Sequence, residues 1–146
     1  MALPFGLATA PRVFTKVLAP LLANLRSHGI SIVAYLDDLL LVDHSVVDLN
    51  LAVHRVVRYL ESMGWILNLE KSGLFPVKRL EYLGLLIDTD QRKISLPQMK
   101  VDSLSKLVQL VSSKRQPSIR LCMRLLGKMV ASFEAIPFAQ FHSRRL

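Results

Sequence analysis

Apolar and polar positions recur along this chain with two different periods, and the switches between them mark out its elements. From Pro11, a residue suited to the first turn of a helix, Phe14, Val17, Leu18, Leu21, Leu22 and Leu25 follow helical spacing and predict one helix with a single apolar stripe. Pro20 removes a backbone donor inside it and is expected to kink or shorten it. Gly29 ends the segment, and Ile30 to Val42 reads as two buried strands with the pair Asp37-Asp38 at the bend. A second helix is expected from about Val47 to Met63, with Leu49, Val53, Val56, Val57, Leu60 and Met63 inward and Gly64 as its stop.

The period then shortens. WILNLEKSG predicts a short strand and a turn, and LEYLGLLIDTDQRKISL a hairpin or strand pair with Asp88-Thr89-Asp90 near its turn. After Pro97 the spacing is helical throughout: Leu104, Leu107, Val108 and Val111 form one stripe. Past SSKRQP, Cys122, Leu125, Leu126, Met129, Val130 and Phe133 form another, with Arg120, Arg124 and Lys128 on the opposite face at four-residue intervals. The order is helix, hairpin, helix, strands, then two helices with a basic face. That is an α+β chain, divided near Pro97 into a mixed domain over residues 1–96 and a small basic helical region over 97–146.

Charge sharpens this division. At 146 residues and a formal net charge of +8, the chain suits one domain with a real core and a polyanionic partner. Residues 1–96 hold ten Lys/Arg against nine Asp/Glu, whereas residues 97–146 hold nine against two. A polyanion site is therefore expected to involve the C-terminal third. The single cysteine, Cys122, excludes an internal disulfide and a cysteine-rich zinc site, and fits a reducing, intracellular setting. The apolar start MALPFGLATA lacks a basic n-region and carries an early proline, so no signal peptide is expected. No apolar run reaches the roughly 18–20 residues of a membrane span, and no membrane partner is expected.

The run IVAYLDDLLLV is the exception to simple patterning, because two adjacent carboxylates stand inside an apolar segment. Burying one ionised carboxylate without a partner costs at least several kcal/mol, and two neighbours repel each other besides. Three arrangements relieve this. Asp37-Asp38 forms a hairpin turn in water, or meets basic side chains, or binds a divalent cation, for which hard oxygen ligands are right.

Its neighbours bear on that choice. LPFGLATAPRVF stands about thirty residues before the pair, NLEKSG about thirty after it, and EYLGLLID soon after that. This succession resembles the palm of reverse transcriptases, especially those of long-terminal-repeat and DIRS-like retrotransposons. In that family a Pro-Phe-Gly loop runs into a helix. A Tyr-x-Asp-Asp hairpin, an Asn-x-x-Lys-Ser segment and a Leu-Gly hairpin that holds the primer then follow. The ending LLGKMVASFEAIPFAQFHSRRL looks like the thumb and connecting region of the DIRS-like group.

The resemblance implies a partial polymerase palm, an antiparallel sheet with helices on one face, followed by a thumb-like region. It implies RNA-directed DNA synthesis with magnesium, or manganese as a substitute, on an RNA or DNA template with primer and deoxynucleoside triphosphates. By resemblance Asp37 is a direct metal ligand and Asp38 a second or electrostatic one. Tyr35 would lie near the primer end or incoming nucleotide, with strand packing as its plain alternative. Pro4, Phe5 and Gly6 would form part of the nucleotide pocket as well as a loop leading into the helix. Lys71 would sit near the phosphates, or is a solvated turn lysine. Tyr82, Leu83 and Gly84 would form the primer grip, with Leu83 alternatively in the core. Arg120, Arg124 and Lys128 would face the nucleic-acid backbone, or form an ordinary solvated helix face.

The family's first catalytic aspartate belongs to a strand upstream of the Pro-Phe-Gly loop, and its fingers lie further upstream. The chain is accordingly expected to be an N-terminally truncated fragment, inactive or nearly so alone. The alternative is a non-catalytic nucleic-acid-binding or protein-interaction module derived from a retroelement. Asp43, Asp48, Asp88 and Asp90 have the right chemistry but no matching context, and the four histidines show no metal-ligand spacing. An exposed apolar edge is expected around Ile32–Tyr35 or Leu39–Val42, open to self-association.

Overall fold

A computed structural model describes residues 6–143, with side chains to Phe141. The chain is α+β and forms two compact units, Met1–Pro76 and Val77–Leu146.

In the first unit, helix α1 (Ala10–Ser27) is followed by strands β1 (Ile32–Tyr35) and β2 (Asp38–Leu41) and helix α2 (Val46–Ser62). Helix α1 is not shortened by Pro20. The proline is exposed, so the carbonyl that loses its helical donor faces water, while Leu18, Leu22 and Leu25 are buried on the other side. Val17, expected in the apolar stripe, is 54% exposed because it falls at the stripe's edge.

Both helices stop at the expected glycines through the same device. Gly29 (φ +81) donates to Arg26 O and Ile30 N–H reaches back to Leu25 O; Gly64 (φ +83) donates to Glu61 O and Trp65 N–H to Leu60 O. This is the Schellman arrangement, in which a left-handed residue satisfies the last carbonyls of a helix. It turns the chain so that Ile30 and Trp65 pack back into the core beside Leu25 and Leu60. It also carries Met63, the residue before Gly64, out of the core position expected for it; Met63 is exposed.

Strands β1 and β2 pair antiparallel, Ile32 with Leu41 through Tyr35 with Asp38. They are half-buried rather than buried on both faces. Ile32, Ala34, Leu39 and Leu41 pack with Leu18, Leu22, Leu25, Ile30, Val56 and Leu60, β1 lying against α1 and β2 against α2. The other face carries exposed Val33 and Tyr35, because successive strand residues point to opposite sides. The strand expected in WILNLEKSG does not form. Trp65 and Leu67 alternate toward the core with a fully exposed Ile66, but no neighbouring strand completes a ladder. The turn that follows is present, with Asn68 O and Oδ1 both accepting from Lys71 N–H.

The second unit opens with a three-stranded antiparallel meander, β3 (Arg79–Tyr82), β4 (Leu85–Asp88) and β5 (Lys93–Ser95), where a pair was expected. Leu83-Gly84 supplies the additional turn, and Asp88-Thr89-Asp90 begins the next one. Helices α3 (Gln98–Ser112) and α4 (Ile119–Val130) pack together, and the 3-10 turn Phe133–Ala135 lies against β5 before the short helix α5 (Ala139–Ser143). Leu107 is the one buried apolar residue of this unit among those described. The stripe on α4 is narrower than its spacing suggested: Leu125 and Met129 are half-buried, whereas Leu126 and Val130 are exposed. On α3, Val108 is likewise exposed.

Candidate functional site

The acidic pair stands at the tip of the β1–β2 hairpin. Tyr35 and Asp38 close the ladder, so the connection is two residues, Leu36 and Asp37. Two-residue hairpins require a left-handed residue to match strand twist. Here that residue is Leu36, with φ +52, a conformation costing a non-glycine residue about 1–2 kcal/mol. Seven buried side chains and the paired strands hold the turn against that cost. At the hairpin's base, the Arg26 guanidinium donates twice to Ile32 O, at 3.1 and 2.9 Å, and Val42 N–H donates to Ser31 O.

Asp37 and Asp38 are both exposed. Cross-strand partners share a face, so Tyr35 and Asp38 stand together on the solvent side, with Asp37 at the apex between them. The pair thus stands exposed at a hairpin turn, as in the first of the three arrangements. It is also compatible with cation binding, because a cation needs carboxylates that are accessible and held on a rigid element.

The other aspartates are committed to local structure. Asp43 Oδ1 accepts from His44 N–H and Ser45 N–H before α2, and Asp48 lies in the first turn of that helix. Asp88 Oδ1 accepts from Gln91 N–H, and Asp90 pairs with Lys78 at 2.9 Å. That pairing raises the Lys78 pKa, through the hydrogen bond first and the charge second. Among the described residues no group of three His, Cys, Asp or Glu side chains comes together to hold a metal ion. By donor chemistry and access Asp37 and Asp38 fit a divalent cation, to which they would offer two carboxylates.

The remaining expected site residues divide between the two units. Gly6, with φ +90, precedes α1 in the first unit; Pro4 and Phe5 lie outside the described residues. Lys71 is exposed in the turn fixed by Asn68. In the second unit Tyr82, Leu83 and Gly84 form the β3–β4 turn, with Leu83 at φ +51 and Gly84 at φ +72. Leu83 is 47% exposed and outside any core. Arg120 and Arg124 are exposed on α4. Lys128, one turn further on, is half-buried and donates to Ser103 on α3.

Two features escaped sequence reading. Tyr-Leu leads into both two-residue turns, Leu36-Asp37 and Leu83-Gly84, and in each the leucine, the first turn residue, takes the left-handed conformation. Repetition of that dipeptide was the available signal. The contact of Lys100 Nζ with Gly84 O, at 2.7 Å, joins residues 16 apart and has no local signature.

The family described as reverse transcriptase (RNA-dependent DNA polymerase) matches the chain over residues 1–87, more than half its length. The chain belongs to the reverse transcriptase family. The match spans both Tyr-Leu turns and the acidic tip between β1 and β2. Membership implies nucleic-acid template and nucleotide as the general classes of partner, and divalent metal as the general class of cofactor. No curated protein matches the chain closely enough to refine that assignment. No helix among the described residues is long and apolar enough to cross a membrane.

Proposed function

We propose that Asp37-Asp38 is the cation-binding corner of an RNA-directed DNA polymerase of the long-terminal-repeat or DIRS-like group. On this reading residues 1–96 form part of the palm and 97–146 a thumb-like region. The supporting observation is a pair of accessible, adjacent carboxylates on a rigid hairpin tip, within a chain of this family. The order of motifs from Pro4-Phe5-Gly6 to Tyr82-Leu83-Gly84 supports the narrower group.

Asp37 and Asp38 would hold magnesium, which would supply Lewis-acid stabilisation of the negative charge developing on the primer oxygen and the departing pyrophosphate. Asp37 at the apex is the direct ligand and Asp38 the second. Tyr35 shares the outer face with Asp38 and lines the position of the primer end or incoming nucleotide. Pro4, Phe5 and Gly6 serve the nucleotide pocket, and Lys71 neutralises phosphate charge. Tyr82, Leu83 and Gly84 hold the primer end. Arg120 and Arg124 face the nucleic-acid backbone, with Lys128 contributing less because its ammonium is engaged by Ser103.

A corner of two carboxylates needs a further acidic group to complete a two-metal site. We infer that the 146-residue chain alone extends primers poorly or not at all. Primer extension on an RNA template with magnesium or manganese, beside Asp37→Asn, tests this together with manganese binding followed by electron paramagnetic resonance. Manganese binding lost in Asp37→Asn supports the corner; equal binding by both proteins refutes it. Extension lost in the variant would mean that the chain completes its site, for instance with a carboxylate from a second copy. Metal-independent, salt-sensitive template–primer binding without extension in either protein favours the non-catalytic binding module.

A further inference from the structure

The Leu83-Gly84 turn is held from outside its own hairpin. Lys100 Nζ donates to Gly84 O at 2.7 Å, and the ammonium occupies the space a side chain at Gly84 would need: a Cβ there would meet Lys100 Nζ and Cε. Glycine thus serves two purposes at position 84, a left-handed backbone at φ +72 and room for the lysine.

The lysine's own position has no local explanation. It stands in the first turn of α3, where the helix dipole disfavours a cation. That helix has no side-chain N-cap bond and no acidic residue in its first turn. Its acceptor is the carbonyl of the turn. The surrounding unit has a thin core, with Leu107 its buried apolar side chain among the described residues, so apolar packing fixes the turn weakly. A second ammonium continues the connection, since Lys128 on α4 donates to Ser103 on α3. Helix α3 is therefore bonded at one point to the 83–84 turn and at another to the helix that carries exposed Arg120 and Arg124.

We propose that Lys100 is a positioning residue that sets the Leu83-Gly84 turn relative to α3, so that the primer-holding turn and the backbone-facing arginines share one frame. This rests on the reading of Tyr82-Leu83-Gly84 as the primer grip. The ammonium acts on the carbonyl of the turn, and its charge in solvent adds only to general affinity for nucleic acid.

The test uses the full chain and two fluorescent duplexes of equal paired length, one with a recessed primer 3′ end and a template overhang, the other blunt. Their affinity ratio cancels general electrostatic attraction and reads how well the primer end is held. Wild type should prefer the recessed end. Lys100→Met should lose about fivefold of that preference, the size expected from one charge-assisted hydrogen bond discounted for exposure. Lys100→Arg should restore part of it, and the Gly84 carbonyl carbon resonance should move in the methionine variant.

A purely structural role would lower the melting temperature of Lys100→Met while leaving the ratio as it is in wild type. Wild-type preference retained in Lys100→Met overturns the proposal and leaves the grip reading standing. A wild type without preference overturns the grip reading, and the proposal with it.

Discussion

Truncating Leu60 to alanine should unfold the first unit at much lower denaturant, and the neighbouring Ile66 provides the control. Leu60 is 2% exposed and packs within the cluster of Leu18, Leu22, Leu25, Ile30, Ile32 and Val56. Removing a buried leucine side chain costs about 2–5 kcal/mol, the upper end where the walls cannot collapse. Here α1, α2 and the hairpin all border the site, so about 3 kcal/mol is expected. Units of this size are stable by only about 4–11 kcal/mol. With a urea m value of about 1–2 kcal/mol/M, the midpoint should fall by about 1.5–3 M. Trp65, the chain's one tryptophan, reports the transition directly, because its ring lies edge-on to Phe14 in the same unit with centroids 5.2 Å apart. Ile66 adjoins that reporter in sequence but is 98% exposed, and Ile66→Ala should change stability by less than about 0.5 kcal/mol. Similar midpoint shifts for the two variants would refute the assignment of Leu60 to the core and of Ile66 to solvent.

Gly127→Ala should stabilise the second unit by about 0.5–1 kcal/mol, since the residue lies within α4 and an added Cβ meets nothing within 4 Å; a lower thermal midpoint would contradict this. Ser45→Ala should cost the first unit about 1 kcal/mol by removing the side-chain acceptor for Asp48 N–H at the start of α2, read by the same tryptophan transition. Asp90→Asn should return the Lys78 pKa toward its ordinary 10.5, measured by NMR of the side chain. Because the folded state raises this pKa, its stabilising contribution is present below 10.5 and is lost as pH rises through the raised value, so the variant should lack that alkaline dependence. An unchanged titration would show that Asp90 does not hold the ammonium in solution.

Helix boundaries were the most legible part of the sequence, because glycine at 29 and 64 announces a chemically specific stop. The strands were less so. An unbroken apolar run such as Ile30 to Val42 does not say whether one face or two are covered; that depends on which elements lie across the sheet, and here α1 and α2 cover one. WILNLEKSG has the alternation of a strand, and Trp65, Ile66 and Leu67 do alternate, but a strand also needs a partner's hydrogen bonds, which no pattern within the segment supplies. Periodicity alone did not separate β3 from β4, because Leu-Gly in LEYLGLLID is flanked by apolar residues; the resemblance to the family's Leu-Gly hairpin did mark that turn. The candidate site was legible as chemistry, in the acidic pair and the ordered motifs. The contacts that distinguish Lys128 from Arg120 and Arg124 were not, since Ser103 lies on another helix.

The two Tyr-Leu turns show why one local sequence serves two surfaces. Each must reverse the chain in two residues, and each places leucine in the left-handed region despite its cost. At Leu36 the next residue is Asp37, whose φ is not left-handed, and the turn presents a carboxylate at its apex. At Leu83 the next residue is Gly84, also left-handed, and the side chain is dispensed with altogether. Dispensing with it opens the backbone to Lys100, so this turn is held by a partner from α3. The first turn instead rests on the core beneath β1 and β2, and its two carboxylates stand exposed. Asp37→Gly would therefore remove the carboxylate without relieving the strained backbone, which sits at Leu36, whereas Gly84→Ala would add a side chain at a left-handed position in the space that Lys100 occupies.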